Sequence, residues 1–264
     1  MVPQPEDGLI NPILVLIEGD DERRPVVKGL GAAALPGPHN PWRATMADGT
    51  DVIVVTTGVG PEQARRVTSE CITRFNPGFV VSTGTCGALV PGLEMSDWLV
   101  TGEVRALGMA GEGGRPTVET LKSPAADAIA RLGRALNDCP RRHAGRLVTV
   151  ADAPVVDALE KEAIARDHGA VAVDMESHGI ASAAAERNIP WLIARVVIDT
   201  PARPLPELGP MNRQTGRPPL TGIAWYVLRN PISGPRTLHG LWALVQEYAR
   251  HLVRVLPAIC GHRD

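Results

Sequence analysis

Apolar residues in this chain come in short, nearly unbroken runs that stop at glycine or at an acid. The run "NPILVLIEGD" (11–20) is aliphatic from Ile13 to Ile17 and ends at Gly19-Asp20, so it reads as a strand buried on both faces. "TDVIVVTTGVG" (50–60) and "PGFVVSTGTCG" (77–87) repeat the plan. Between them, "PEQARRVTSECITRF" sets Ala64, Val67, Cys71, Ile72 and Phe75 at helical spacing, which completes a β-α-β unit. Further strands are expected at 94–104 and 144–152, with a helix over 123–138 whose N-cap candidate is Ser123. "GAVAVDM" (169–175), "ESHGIASAAAERN" (176–188) and "IPWLIARVVID" (189–199) then read as strand, helix and strand.

Alternating strands and helices, with strands apolar on both faces, predict an α/β fold: a three-layer α/β/α arrangement around a twisted, mostly parallel mixed sheet. One domain over 1–264 is expected. After Asp199 the chain becomes dense in Pro and Gly, so 201–237 reads as a loop-like insert, and Leu238, Leu241, Trp242, Val245, Tyr248, Leu252 and Leu256 mark a C-terminal helix over 238–256.

The strand ends carry the polar chemistry. They are Gly19-Asp20, Gly58-Val59-Gly60, Ser82 to Gly87, Met175-Glu176 and Asp199. In a parallel sheet these ends fall on one edge, where loops converge and ligands bind. Each alone is equally an ordinary turn or helix cap.

Composition narrows the partners. Among 264 residues, 44% hydrophobic, the net charge is −2 and aromatics make up only 3%, so neither the basic face nor the stacking platforms of a nucleic-acid binder are present. Cys71, Cys86, Cys139 and Cys260 form no CxxC pair and have no histidine at zinc-ligand spacing, so no metal site is expected. A reduced, cytoplasmic setting fits these thiols. The N-terminus has no basic-then-apolar leader and no run reaches eighteen apolar residues, so no membrane span is expected.

Two nucleotide motifs fail. No GxxxxGK[ST] occurs, and "GVGPEQA" supplies only two glycines of the dinucleotide fingerprint, which leaves a Rossmann-type oxidoreductase as a weak rival. Instead, "VVSTGTCGALVPGLEMSDWLVTGEV", "AVDMES" and "IPWLIARVVID" resemble, in order and spacing from about residue 12 to 200, the motifs of the nucleoside phosphorylase and nucleosidase superfamily. "VDMES", the lysine-bearing "LEKEAI" and the Pro-rich tail are also similar to the hopanoid-associated phosphorylase subgroup, which implies an apolar channel lined by 201–237 and Trp225.

The resemblance implies cleavage of the N-glycosidic bond of a purine nucleoside, adenosine-like and modified at the 5′ position. Glu176 then accepts hydrogen bonds from the ribose hydroxyls with Met175 packed on the sugar, and Asp199 protonates the departing purine. Breaking that bond builds positive charge on the sugar and negative charge on the base, which is why an acid on each side suits it. Thr85 and Gly87 of the "GTCG" turn and Pro154 and Val155 of the following loop are implied substrate contacts. Ile198 stands where many relatives have Ser. His168 and His178 match no family role and read as surface or helix-packing residues.

The nucleophile is left open. Gly19, Arg23 and Thr85 match a phosphate loop, with inorganic phosphate as co-substrate, yet Ser82 stands where the hexameric phosphorylases carry Arg. Glu22 lies one residue from the glutamate that activates water in nucleosidases. No organic cofactor or metal is implied, and a homo-oligomer is. A non-catalytic nucleoside-binding protein on the same fold is the remaining alternative.

Overall fold

A computed structural model describes residues 11–110, 116–117, 119–136, 141–151, 153–206, 212 and 219–260. In chain order the first half holds β1 (Ile13–Ile17), α1 (Asp20–Gly29), β2 (Ala33–Ala34), β3 (Trp42–Thr45), β4 (Asp51–Thr56), α2 (Pro61–Phe75), β5 (Phe79–Ala88), β6 (Trp98–Thr101), β7 (Glu103–Leu107), β8 (Met109–Ala110), β9 (Pro116–Thr117) and β10 (Thr120–Lys122). There follow α3 (Ala126–Ala135), β11 (Arg142–His143), β12 (Arg146–Val150), α4 (Ala158–His168), β13 (Ala170–Asp174), α5 (Ser177–Ala185), β14 (Trp191–Asp199), α6 (Leu220–Arg229), α7 (Ser233–Val255) and α8 (Pro257–Cys260).

Local chemistry accounts for the helix ends. Pro61 opens α2, where its missing N–H costs nothing, and Asn76 closes it in the left-handed region at φ 46°. Asp157 caps α4 by accepting the Glu160 N–H at 2.9 Å, and Gly169 ends it at φ 59°. Ser123 is not the N-cap of α3, which starts at Ala126; its hydroxyl instead accepts the Ala125 N–H at 3.0 Å and donates to the Trp191 carbonyl.

The central sheet is mixed, and the mixing places the site. β1, β4, β5 and β14 run parallel, with β1 and β14 on opposite sides of the first part of β5. β1 stops at Ile17, opposite Thr83. Farther along β5, β13 pairs antiparallel, with Val173 opposite Gly87. The carboxyl ends of β1 and β13 therefore point at each other along β5, and Asp199 at the end of β14 also pairs with Gly87. The expectation that all the ends share one parallel edge is corrected: they converge because β13 is reversed relative to β5.

Apolar layers cover both faces. Val15, Val54, Val81 and Ala194 pack with Tyr248 and Leu252 of α7 and with α3. Leu16, Val55, Val80 and Ile193 pack with Val67 and Cys71 of α2 and Ile180 and Ala184 of α5. The C-terminal region also departs from expectation. Residues 220–229 form a helix inside the stretch read as a loop, and α7 starts at Ser233 rather than 238. Bounded by Pro219 and by Asn230-Pro231, α6 makes fewer than three turns, so proline punctuation hid it.

Candidate active site

Where the ends of β1, β5, β13 and β14 meet, a cleft encloses about 540 Å³, part of it continuous with solvent. Glu176 and Asp199 both line it, as do Thr85, Gly87, Pro154, Val155 and Met175. Gly19, Glu22 and Arg23 do not.

Arg23 lies outside the lining of this cleft. One turn of helix brings Asp20 to within 2.8 Å of its guanidinium, which also reaches the Asn40 carbonyl at 3.4 Å and lies 5.5 Å over the Trp42 ring. Gly19 is the N-cap of α1. Ser82 sits beneath the sheet surface, where its hydroxyl accepts from Arg195 at 3.0 Å.

A buried acid cluster surrounds one cation. Asp174 accepts from Arg195 Nε at 2.9 Å, from the Thr149 hydroxyl at 2.7 Å and from the hydroxyl of Ser177. Burial opposes the charge on Arg195, but Asp174, Glu176 and Glu22 outweigh it and raise its pKa. Glu176 accepts the Gly60 N–H at 2.9 Å. Burial and then the neighbouring Glu18 and Asp174 push its pKa well up.

Glu18 lines the cleft and is pushed up to about 8 by burial first and by Glu22 next. Glu22 is raised by burial, against hydrogen bonds from Thr85 and the pull of Arg195. Its Oε2 is shielded from solvent with no hydrogen-bond partner among the described residues. Gly84 makes this packing fit: at φ 142° a Cβ there would stand 2.7 Å from both Arg195 Nη1 and Glu22 Oε2.

Asp199 has a different partner. Its Oδ2 is ion-paired with Lys161 Nζ, and the two side chains are only 4% and 0% exposed. Burial raises the Asp199 pKa and Lys161 opposes the rise. Desolvating two charges is costly, so such a pair persists where geometry and function hold it.

Glu18, Lys161 and Arg195 were missed from sequence. Glu18 ends an apolar run just as Glu176 and Asp199 do, and the same criterion could have found it. Arg195 interrupts "LIARVVID", and a charge inside a buried strand demands a partner. Lys161 stood out only as the lysine of "LEKEAI" in the resemblance, with no role attached. Of the two histidines, His168 is half-buried at the end of α4, while His178 is buried in α5 with its ring nitrogens lacking hydrogen bonds among the described residues. From 201–237, Leu205 is the described residue that reaches the cleft; Trp225 does not.

The sequence profile of the phosphorylase superfamily matches residues 35–211. A 5′-methylthioadenosine/S-adenosylhomocysteine nucleosidase of Staphylococcus aureus is 24% identical over 156 residues, covering 56% of this chain and 68% of that protein. Among solved structures, futalosine hydrolase of Helicobacter pylori aligns with a TM-score of 0.69 at 16% identity, over 95% of this chain and 97% of its own. The Campylobacter jejuni 5′-methylthioadenosine/S-adenosylhomocysteine nucleosidase aligns with a TM-score of 0.71 at 16% identity, over 96% and 99%. These structural likenesses establish the shared fold.

Proposed function

Because the chain belongs to the phosphorylase superfamily, we propose that it is an enzyme that cleaves the N-glycosidic bond of an adenosine-type nucleoside, with water as the nucleophile. The observation that carries this is the single cleft lined by both Glu176 and Asp199. The purine and the sugar of one nucleoside fit between two such acids, one for each developing charge.

Glu176 takes the ribose hydroxyls, and its negative charge favours the oxocarbenium-like transition state. Asp199 faces the base. As the bond breaks, the proton held between Lys161 and Asp199 passes to purine N7, so the base leaves neutral. The purine sits against Pro154 and Val155, and Met175 packs on the sugar. Excluding water through these apolar contacts strengthens both electrostatic effects.

Water is favoured over phosphate by the charge at the sugar end. Glu18, Glu22, Asp174 and Glu176 gather there around Arg195, and Arg23 is engaged elsewhere. A phosphate dianion entering this cluster would meet carboxyl groups rather than an anion clamp, whereas water would meet acceptors. Glu18 and Glu22 repel each other and so ionise in sequence, leaving one carboxylate and one acid to share a proton. Glu18, which lines the cleft, takes the proton from the attacking water as it passes its own to Glu22. The named relatives, a methylthioadenosine/S-adenosylhomocysteine nucleosidase and a futalosine hydrolase, support the same reading.

The test is incubation with a panel of adenosine and inosine derivatives differing at the 5′ position, with base and sugar identified by mass spectrometry. Free adenine with free sugar supports the proposal. Intact nucleosides throughout, with binding detected by calorimetry, would make the protein a nucleoside-binding relative without turnover.

A further inference from the structure

Large apolar side chains that face solvent are concentrated on one part of this molecule. Leu220, Trp225 and Leu228 of α6, Ile232 in the turn after it and Trp242 of α7 are 55–83% exposed. α6 is apolar yet buries no residue, and its principal packing partner is α7. The two helices form a hairpin that presents an uncovered apolar face. Exposed patches of this kind mark interaction surfaces.

The charge around the patch has one sign. Along the described hairpin, residues 219–246 include no acidic residue, and the arginines are Arg229 and Arg236. Arg229 lies 4.6 Å over the Trp225 ring, so a cation and an indole occupy the same spot. Arg236 is exposed on the first turn of α7. The protein as a whole is slightly acidic at −2, so this cationic surface is segregated rather than typical of the chain.

We propose that the α6–α7 hairpin docks the protein on an anionic lipid bilayer surface, with Trp225, Leu228 and Ile232 in the headgroup and upper acyl region and Arg229 and Arg236 against lipid phosphates. Tryptophan and aliphatic side chains backed by arginines, with acids excluded, are the chemistry of a helix lying in the interface plane. Spanning is ruled out for α6: its 10 residues extend about 15 Å, against a hydrocarbon core of about 30 Å. No described helix is long and apolar enough to cross a membrane. A second copy fits the face less well. A two-fold contact would set the same patch on itself, bringing Arg229 and Arg236 against their own counterparts with no acid in the segment to neutralise them.

The test is co-sedimentation of the full chain with vesicles of phosphatidylcholine alone and of phosphatidylcholine with phosphatidylglycerol, at low and high salt. The protein binds the anionic vesicles at low salt and is released by high salt. The double variant Arg229→Ala/Arg236→Ala weakens that binding about thirty-fold, at roughly 1 kcal/mol per arginine near the surface. Trp225→Ser/Leu228→Ser abolishes it. Unchanged base release and thermal midpoint show that the variants are folded, so failure of docking is distinguishable from failure of the active-site proposal. Absence of binding to anionic vesicles at low salt overturns the inference. So does a dimer, seen by analytical ultracentrifugation, that Trp225→Ser/Leu228→Ser dissociates while vesicle binding persists.

Discussion

Lys161 Nζ and Asp199 Oδ2 form a direct ion pair with almost no solvent contact, where Asp199 lines the cleft. Burial pushes the Asp199 pKa up; the ammonium opposes the rise and adds a second site for the proton. Asp199→Asn removes the donor and is expected to slow base release by about 10²–10⁴-fold. Lys161→Met removes the group that holds the Asp199 pKa down, so Asp199 keeps its proton to higher pH and the alkaline limb of activity moves up relative to the wild type. Rate–pH profiles for both proteins check this, and a Lys161→Met profile superimposable on the wild type would contradict a shared proton.

On the proposed assignment Glu176 acts on the sugar, so its loss should differ in kind from the loss of Asp199. Glu176→Gln keeps the size and the carbonyl that faces the Gly60 N–H but removes the negative charge. A drop in kcat of about 10²-fold with a smaller change in KM is expected, because the charge matters most once the sugar becomes cationic. Steady-state kinetics on one nucleoside settle the split.

Glu18 predicts a pH dependence of stability. Its carboxyl keeps a proton up to about 8 in the folded protein, against 4.5 as the ordinary value. Between these values the folded state binds more protons than the unfolded one, so the contribution to stability is complete below 4.5 and is lost as pH rises toward 8. Glu18→Gln removes that loss. Its thermal midpoint should exceed the wild type's at pH 8, with the difference vanishing near pH 4.5, as read by calorimetry across that range.

Gly84 is where the backbone yields space to the acid cluster. Gly84→Ala places a methyl group 2.7 Å from Arg195 Nη1 and Glu22 Oε2 at a φ of 142°, a conformation costly for any residue with a Cβ. A destabilisation of about 1–3 kcal/mol is expected from the backbone alone. Urea denaturation measures it.

The strand and helix order was legible from sequence because β1, β4, β5, β13 and β14 are buried on both faces and so read as continuous apolar runs. Their relative direction was not, since the reversal of β13 against β5 is a pairing of distant residues with no local signature. The same limit applies at the site. Acids at strand ends stood out against apolar neighbours, which located Glu176 and Asp199. Lys161 lies among charged residues on α4 and becomes remarkable only when the fold buries it. Arg23 shows the converse: its motif position suggested an anion site at the cleft, but it lies outside the cleft lining, with Asp20 on one guanidinium nitrogen and Trp42 beneath.

The central claim, that water attacks the sugar as the base leaves the Glu176–Asp199 cleft, is tested most directly by running the reaction in ¹⁸O-water with and without phosphate. The account predicts free sugar labelled at its anomeric oxygen, formed at the same rate in both buffers. Unlabelled ribose 1-phosphate formed only with phosphate would contradict it.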